Sequence, residues 1–151
     1  MDCRRLIVWE KKFTKTYTGI TIKSLWKAWS DVKHWPQWDE ELEYCDISMP
    51  FTKGSTFILK PRGGPKVKVT LDEVTPSQKF IARSNFIGAT MRNFHEVIET
   101  PKGIRINNII TVSGPLTFIW ANLVAREVAL AVPKQTDNLI RYISQPGSLI
   151  T

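Results

Sequence analysis

Residues 79–113 read KFIARSNFIGATMRNFHEVIETPKGIRINNIITVS, and this stretch decides the fold. Two turn signals cut it, Ile87-Gly88 and Pro101-Lys102. Around Pro101-Lys102, strands over 89–99 and 103–113 pair antiparallel. Val97 then faces Ile106, His95 faces Asn108, Asn93 faces Ile110 and Met91 faces Val112. Around Ile87-Gly88, Phe80 falls beside His95, Ala82 beside Asn93 and Ser84 beside Met91. One hairpin earlier, a turn at Thr75-Pro76 predicts Leu71 against Phe80 and Val69 against Ala82. All three hairpins agree on one inner face, with Lys66, Lys68, Lys79, Arg83 and Arg105 outside. A one-residue slip would invert every side chain, so the agreement carries weight.

Outward from this core, residues 5–16 read as a strand and about 21–40 as two short helices. Strands follow at about 42–49, 55–61, 66–74 and 78–86. Gly114-Pro115 ends the sheet, and Pro115 suits the first turn of a helix that runs to about 131. Pro133 kinks or restarts it, and a second part continues to about Ile143. Only Asn122, Arg126 and Glu127 interrupt the apolar run Leu116–Val132. A helix apolar on most of its circumference is gripped from several sides, which a curved sheet wrapped around it would do. Four of the six tryptophans, Trp26, Trp29, Trp35 and Trp38, sit in the two short helices. These are two small amphipathic pieces that must lie on something larger, and the spacing leaves open which tryptophan turns toward its interior.

At 151 residues, residues 1–151 form one domain, with 42% hydrophobic and 23% charged residues, ordinary for a soluble protein. No apolar run at the N-terminus suits a signal peptide, and the apolar helix carries charges inside it. A cytoplasmic protein that is not an integral membrane protein is expected. Cys3 and Cys45 make neither a Cys-x-x-Cys nor a zinc pattern, and the two histidines, His34 and His95, add no metal cluster. The net charge of +7 is spread along the chain without a basic run or interleaved aromatics, so nucleic acid is an unlikely partner.

The anchors Leu25-Trp26, Asp31-Val32, Trp35-Pro36-Gln37-Trp38-Asp39, Gly54, Pro76, Met91-Arg-Asn-Phe-His95, Gly103-Ile-Arg-Ile-Asn107, Val112-Ser-Gly114-Pro115 and Pro133 span roughly residues 6–144. In these the chain resembles the SRPBCC superfamily, also called START-like or helix-grip, and within it the polyketide cyclase/dehydrase and lipid-transport-like branch. The resemblance implies an α+β fold: a seven-stranded antiparallel curved sheet wrapped around a long C-terminal helix, with two short helices between strands 1 and 2. It also implies a cavity that holds a hydrophobic small molecule or lipid in many relatives.

The residues themselves place Asn93, His95 and Asn108 among Phe80, Met91, Val97, Ile106 and Ile110 on the inner face. Buried polar groups need partners. These three either anchor a ligand, orienting a carbonyl or hydroxyl, or hold one another across the ladder. Trp120 is a candidate pocket wall or a core residue. Arg62, in Pro61-Arg-Gly-Gly-Pro65, either guards a cavity mouth or is an exposed turn residue. The leading expectation is binding or transport of a hydrophobic or amphipathic small molecule, by a monomer or weak dimer, with no cofactor or metal. Two alternatives stand beside it: a cyclase or dehydratase using His95 as acid/base, and an interaction module using the basic surface.

Overall fold

The computed structural model describes residues 8–144. Cys3, Arg4, Arg5 and the start of the first expected strand lie outside them. The strands are β1 (Val8–Tyr17), β2 (Leu42–Asp46), β3 (Thr56–Pro61), β4 (Val67–Thr75), β5 (Lys79–Phe86), β6 (Ala89–Thr100) and β7 (Gly103–Ser113). They form one antiparallel sheet in the order β1-β7-β6-β5-β4-β3-β2. Between β1 and β2 stand helix α1 (Ile22–Ser30) and a 3-10 segment (Val32–Gln37). After β7 come α2 (Thr117–Trp120), a π-helical turn (Ala121–Ala125) and α3 (Arg126–Ser144), one continuous C-terminal helix. This is the helix-grip architecture expected from the sequence.

The β5–β6 and β6–β7 registers are those derived above: Phe80 pairs with His95, His95 with Asn108, and Met91 with Val112. The β4–β5 register differs. Leu71 pairs with Ala82, not Phe80, and Val69 with Ser84, not Ala82. The loop there is longer than two residues, with Ser77 at φ 63° and Thr75 pairing Lys79, and a bulge follows between Leu71 and Glu73. The net slip is two residues, so the inner face is kept. On the outer face, the bulge residue Asp72 accepts hydrogen bonds from Arg83 Nε at 2.8 Å and Arg92 Nε at 3.3 Å.

The core has two apolar clusters. One gathers Leu25, Trp29, Val32, Phe57, Leu71, Phe80, Ile106 and Leu139 beneath α1. The other gathers Met91, Ile110, Val112, Ala125 and Val132 beneath the start of the C-terminal helix. Asn93, His95 and Asn108 occupy the inner-face positions between them.

The sheet covers the inward side of the C-terminal helix, so the grip from several sides expected of so apolar a helix is narrower than its sequence suggested. Thr117, Ala121, Ala125, Val132, Thr136 and Leu139 face inward and are buried, while Phe118, Ile119, Leu123 and Leu130 are exposed. Small residues at 121 and 125 bring the helix close to the sheet. The π-helical turn, wider than an α turn, keeps these four-residue steps on one line.

Helix α1 starts at a capping box: Ser24 N donates to Thr21 Oγ1 at 3.0 Å, and Thr21 N donates to Ser24 Oγ at 3.3 Å. The cap sets the angle at which Leu25 and Trp29 enter the core. Thr21→Ala is expected to lower stability by about 1 kcal/mol, read as an earlier urea midpoint with an unchanged slope.

Candidate functional site

The short helices close one end of the grip, and the structure says which tryptophans turn inward. Trp29 and Trp38, with His95, Ile106, Asn108, Gln135, Thr136 and Leu139, enclose a recess of about 10 Å³. Trp26 and Trp35 stand behind them. Trp26 meets Trp29 edge-on at 6.2 Å, and Trp35 Nε1 donates to the Trp29 carbonyl at 3.0 Å. The spacing of the tryptophans around Pro36 allows this because the 3-10 segment folds Trp35 and Trp38 back beneath α1.

His95 is held by aromatic rings. It stacks on Phe80 at 4.3 Å and nearly parallel, and meets Trp29 edge-on at 5.6 Å. Burial pushes its pKa down to about 4, against a smaller opposite effect of the Asn93 backbone. The ring keeps some exposed surface, but Nδ1 is sealed from solvent and has no protein partner. The imidazole is therefore neutral near pH 7.

Asn108 reaches the helix. Its Nδ2 donates to Thr136 Oγ1 at 3.5 Å, a long bond, while Thr136 gives its own hydroxyl proton to the Val132 carbonyl at 2.8 Å. That hydroxyl can only accept from Asn108, which fixes the amide's orientation and turns Oδ1 away. Asn108 Oδ1 and Asn93 Oδ1 are buried without a protein partner, as is His95 Nδ1. Three such atoms on one inner face are uncommon, since each carries a desolvation cost of about 1–3 kcal/mol.

A carboxyl group holds one of the recess residues, Gln135. Asp39 is buried, accepting from Glu41 N at 3.0 Å and from Gln135 Nε2. Burial raises its pKa, and the two hydrogen bonds act in the other direction. Burial and, less strongly, the Asp39 charge push the Cys45 thiol up to about 12. Beyond Trp38 lies an open cleft of about 310 Å³, walled also by Pro36, Gln37, Glu40, Asn138, Arg141 and Tyr142. Trp38 is the one side chain shared by the recess and the cleft.

Of the residues singled out in the sequence, His95 and Asn108 line the recess and Phe80 backs it. Asn93 lies one ladder step away, next to Ile110 and Ala82. Met91 and Ile110 belong to the second cluster. Trp120 packs there too, stacked on Phe86 at 4.6 Å with Nε1 donating to the Ile87 carbonyl at 2.7 Å. Arg62 is exposed, and its Nε donates to the Glu40 carbonyl at 3.0 Å, which ties the β3–β4 loop to the segment after Trp38. Gln135 and Thr136 escaped sequence reading. Their signal was present: Thr136 falls between Val132 and Leu139 on the buried stripe, where a polar residue faces the sheet. Among the described residues, no group of His, Cys, Asp and Glu is placed to hold a metal ion.

No protein-family model and no curated protein sequence matches the chain. Solved structures do. Norcoclaurine synthase from Thalictrum flavum superposes with a TM-score of 0.72 at 13% identity, over 93% of this chain and 89% of that one. Ara h 8.0201 gives 0.68 at 14% identity, over 90% and 97%. The di-domain ARO/CYC StfQ of the steffimycin biosynthetic pathway gives 0.68 at 12% identity, over 93% of this chain and 51% of that one. These are SRPBCC-superfamily proteins, and the fold of this chain is the helix-grip fold they share.

Proposed function

We propose that the protein binds a small hydrophobic or amphipathic molecule inside the grip, oriented by His95 and Asn108. One observation carries this reading: buried polar atoms without protein partners stand on a wall that is otherwise aromatic and aliphatic. Such a wall supplies affinity through apolar area and orientation through a few hydrogen bonds. At about 10 Å³ the recess holds a single water-sized group. A larger guest needs Trp38 and the 3-10 segment to move outward into the cleft, so binding and opening are coupled. A structural neighbour, norcoclaurine synthase, has been solved in complex with dopamine and hydroxybenzaldehyde. Proton transfer by His95 is the weaker reading. An imidazole with a pKa near 4 is a poor base, and its ring neighbours are Phe80 and Trp29.

The test compares 2-naphthol with naphthalene, which differ by one hydroxyl. Wild-type protein is expected to bind the naphthol about tenfold more tightly, and Asn108→Leu or His95→Leu to erase that preference. Neither variant should lose more than about 1 kcal/mol of stability, because each removes a buried polar atom without a partner and the bond Asn108 gives up to Thr136 is a long one. A wild type with no preference, or variants that keep it while melting far earlier, would give these residues a purely structural role.

A further inference from the structure

The outward face of the C-terminal helix is the least expected surface of this molecule. Leu116, Ile119, Leu123 and Leu130 fall at i, i+3, i+7 and i+14, one stripe along the helix, with Phe118 beside it. Phe118 is 63%, Leu123 65% and Leu130 69% exposed. The β5–β6 hairpin adds its tip, Ile87, at 82%.

The tip and the helix form one rigid patch. Leu116 N donates to the Gly88 carbonyl at 2.8 Å, and Trp120 Nε1 to the Ile87 carbonyl at 2.7 Å. Gly88 has φ 75°, and a Cβ there would lie 2.6 Å from Leu116 Cγ, so the two elements are in close contact. A connected apolar surface of this kind on a single chain marks a place of contact.

The elements next to it carry basic residues. Arg126 stands on the helix between Leu123 and Leu130. Lys66 precedes β4, whose first residues run beside the end of β5. Lys11 lies on the edge strand β1, paired with Ile110 on the face toward the helix. Among the described residues of this helix turn, the acidic one is Glu127, beside Arg126. The whole chain carries +7. A second copy would bring the same positive rim against this one, whereas an anionic surface complements it.

We propose that this face docks on an anionic lipid bilayer. The helix lies in the interface with its apolar stripe down, Ile87 and Phe118 enter the headgroup region, and Arg126 and Lys66 meet lipid phosphates and carboxylates. This is binding by two signals together, apolar insertion and basic attraction. It involves the end of the molecule away from Trp38 and stands whether or not the recess takes a ligand.

The experiment is co-sedimentation of the full chain with vesicles of phosphatidylcholine alone or equimolar with phosphatidylserine. Wild type is expected on the anionic vesicles only, with binding that falls as salt rises. Paired Ile87→Ser and Phe118→Ser substitutions should lower the partition coefficient at least about tenfold. Paired Lys66→Glu and Arg126→Glu should lower it by about tenfold as well. All four positions are exposed, so thermal unfolding of the variants should match wild type, which excludes a folding defect. Absence of wild-type binding to anionic vesicles overturns the proposal, as does binding that ignores the substitutions. A wild-type dimer at sedimentation equilibrium that Phe118→Ser dissociates would assign the face to a second copy instead.

Discussion

Trp29→Ala is expected to cost about 4 kcal/mol, lowering the melting temperature by about 10 °C. The ring is 2% exposed and meets Trp26 at 6.2 Å, Phe80 at 5.4 Å and His95 at 5.6 Å, all edge-on. Its backbone carbonyl also takes the Trp35 indole N–H. That bond survives the substitution, so the loss reports side-chain packing. α1 is held at one end by its cap and at the other by the 3-10 segment, so it cannot easily collapse into the space left. The hole therefore stays, and joins the recess beside His95. Added indole should occupy it and restore several degrees of the lost melting temperature, while leaving wild type unmoved. A loss of only a degree or two would mean that α1 adjusts freely and that the tryptophans are not a fixed end wall.

The sequence was most legible where turns are short. Ile87-Gly88 and Pro101-Lys102 each join strands through two residues, and both registers followed from them. At β4–β5 the loop around Ser77 is longer and Asp72 is bulged. A two-residue slip preserves the inner face, so alternation of apolar and polar residues cannot detect it. Asp72 itself carried no apolar signal. Its position is set by Arg83 and Arg92 on neighbouring strands, a three-residue arrangement spread over 20 positions of sequence. The C-terminal helix is where the sequence predicts it, but its cover is narrower for another reason. Hydrophobicity shows that a residue favours burial, not whether this chain supplies the cover. Leu123 and Ala125 look alike in a pattern, yet one faces outward and the other inward. The polar trio on the inner face was readable because register placed it. The size of the recess was not, because it depends on where the Trp29 and Trp38 rings fall. Both belong to a segment joined to the sheet only by tertiary packing.

Acid is expected to weaken the fold through His95, by about 3 kcal/mol between pH 6.5 and pH 4. In the unfolded chain this imidazole takes its proton near pH 6.5. In the fold it does so only near pH 4, because burial between Phe80 and Trp29 disfavours the cation. Between those values the unfolded state holds the extra proton, so stability falls as the pH drops, and the effect is complete below about pH 4. Asp39 acts in the opposite sense. Its carboxyl is raised by burial, so the fold protonates it more readily than the unfolded chain and regains stability as it does. Asp137, lowered first by the Tyr17 hydroxyl and then by Lys15, loses its contribution in acid, as does Glu40, lowered by its bonds to Lys134 and Asn138. Asp137 and Glu40 are held below the ordinary carboxylate range, so of the three only Asp39 works against the histidine as the pH falls toward it. Urea midpoints measured from pH 7.5 down to about 4.5 should therefore fall for wild type and lose that fall in His95→Gln, while Asp39→Asn, by removing the opposing group, steepens it. A wild-type midpoint that stays level over the same range would show that His95 is protonated as easily in the fold as out of it. The recess would then be wet, and the desolvated polar wall on which the binding site depends would be lost with it.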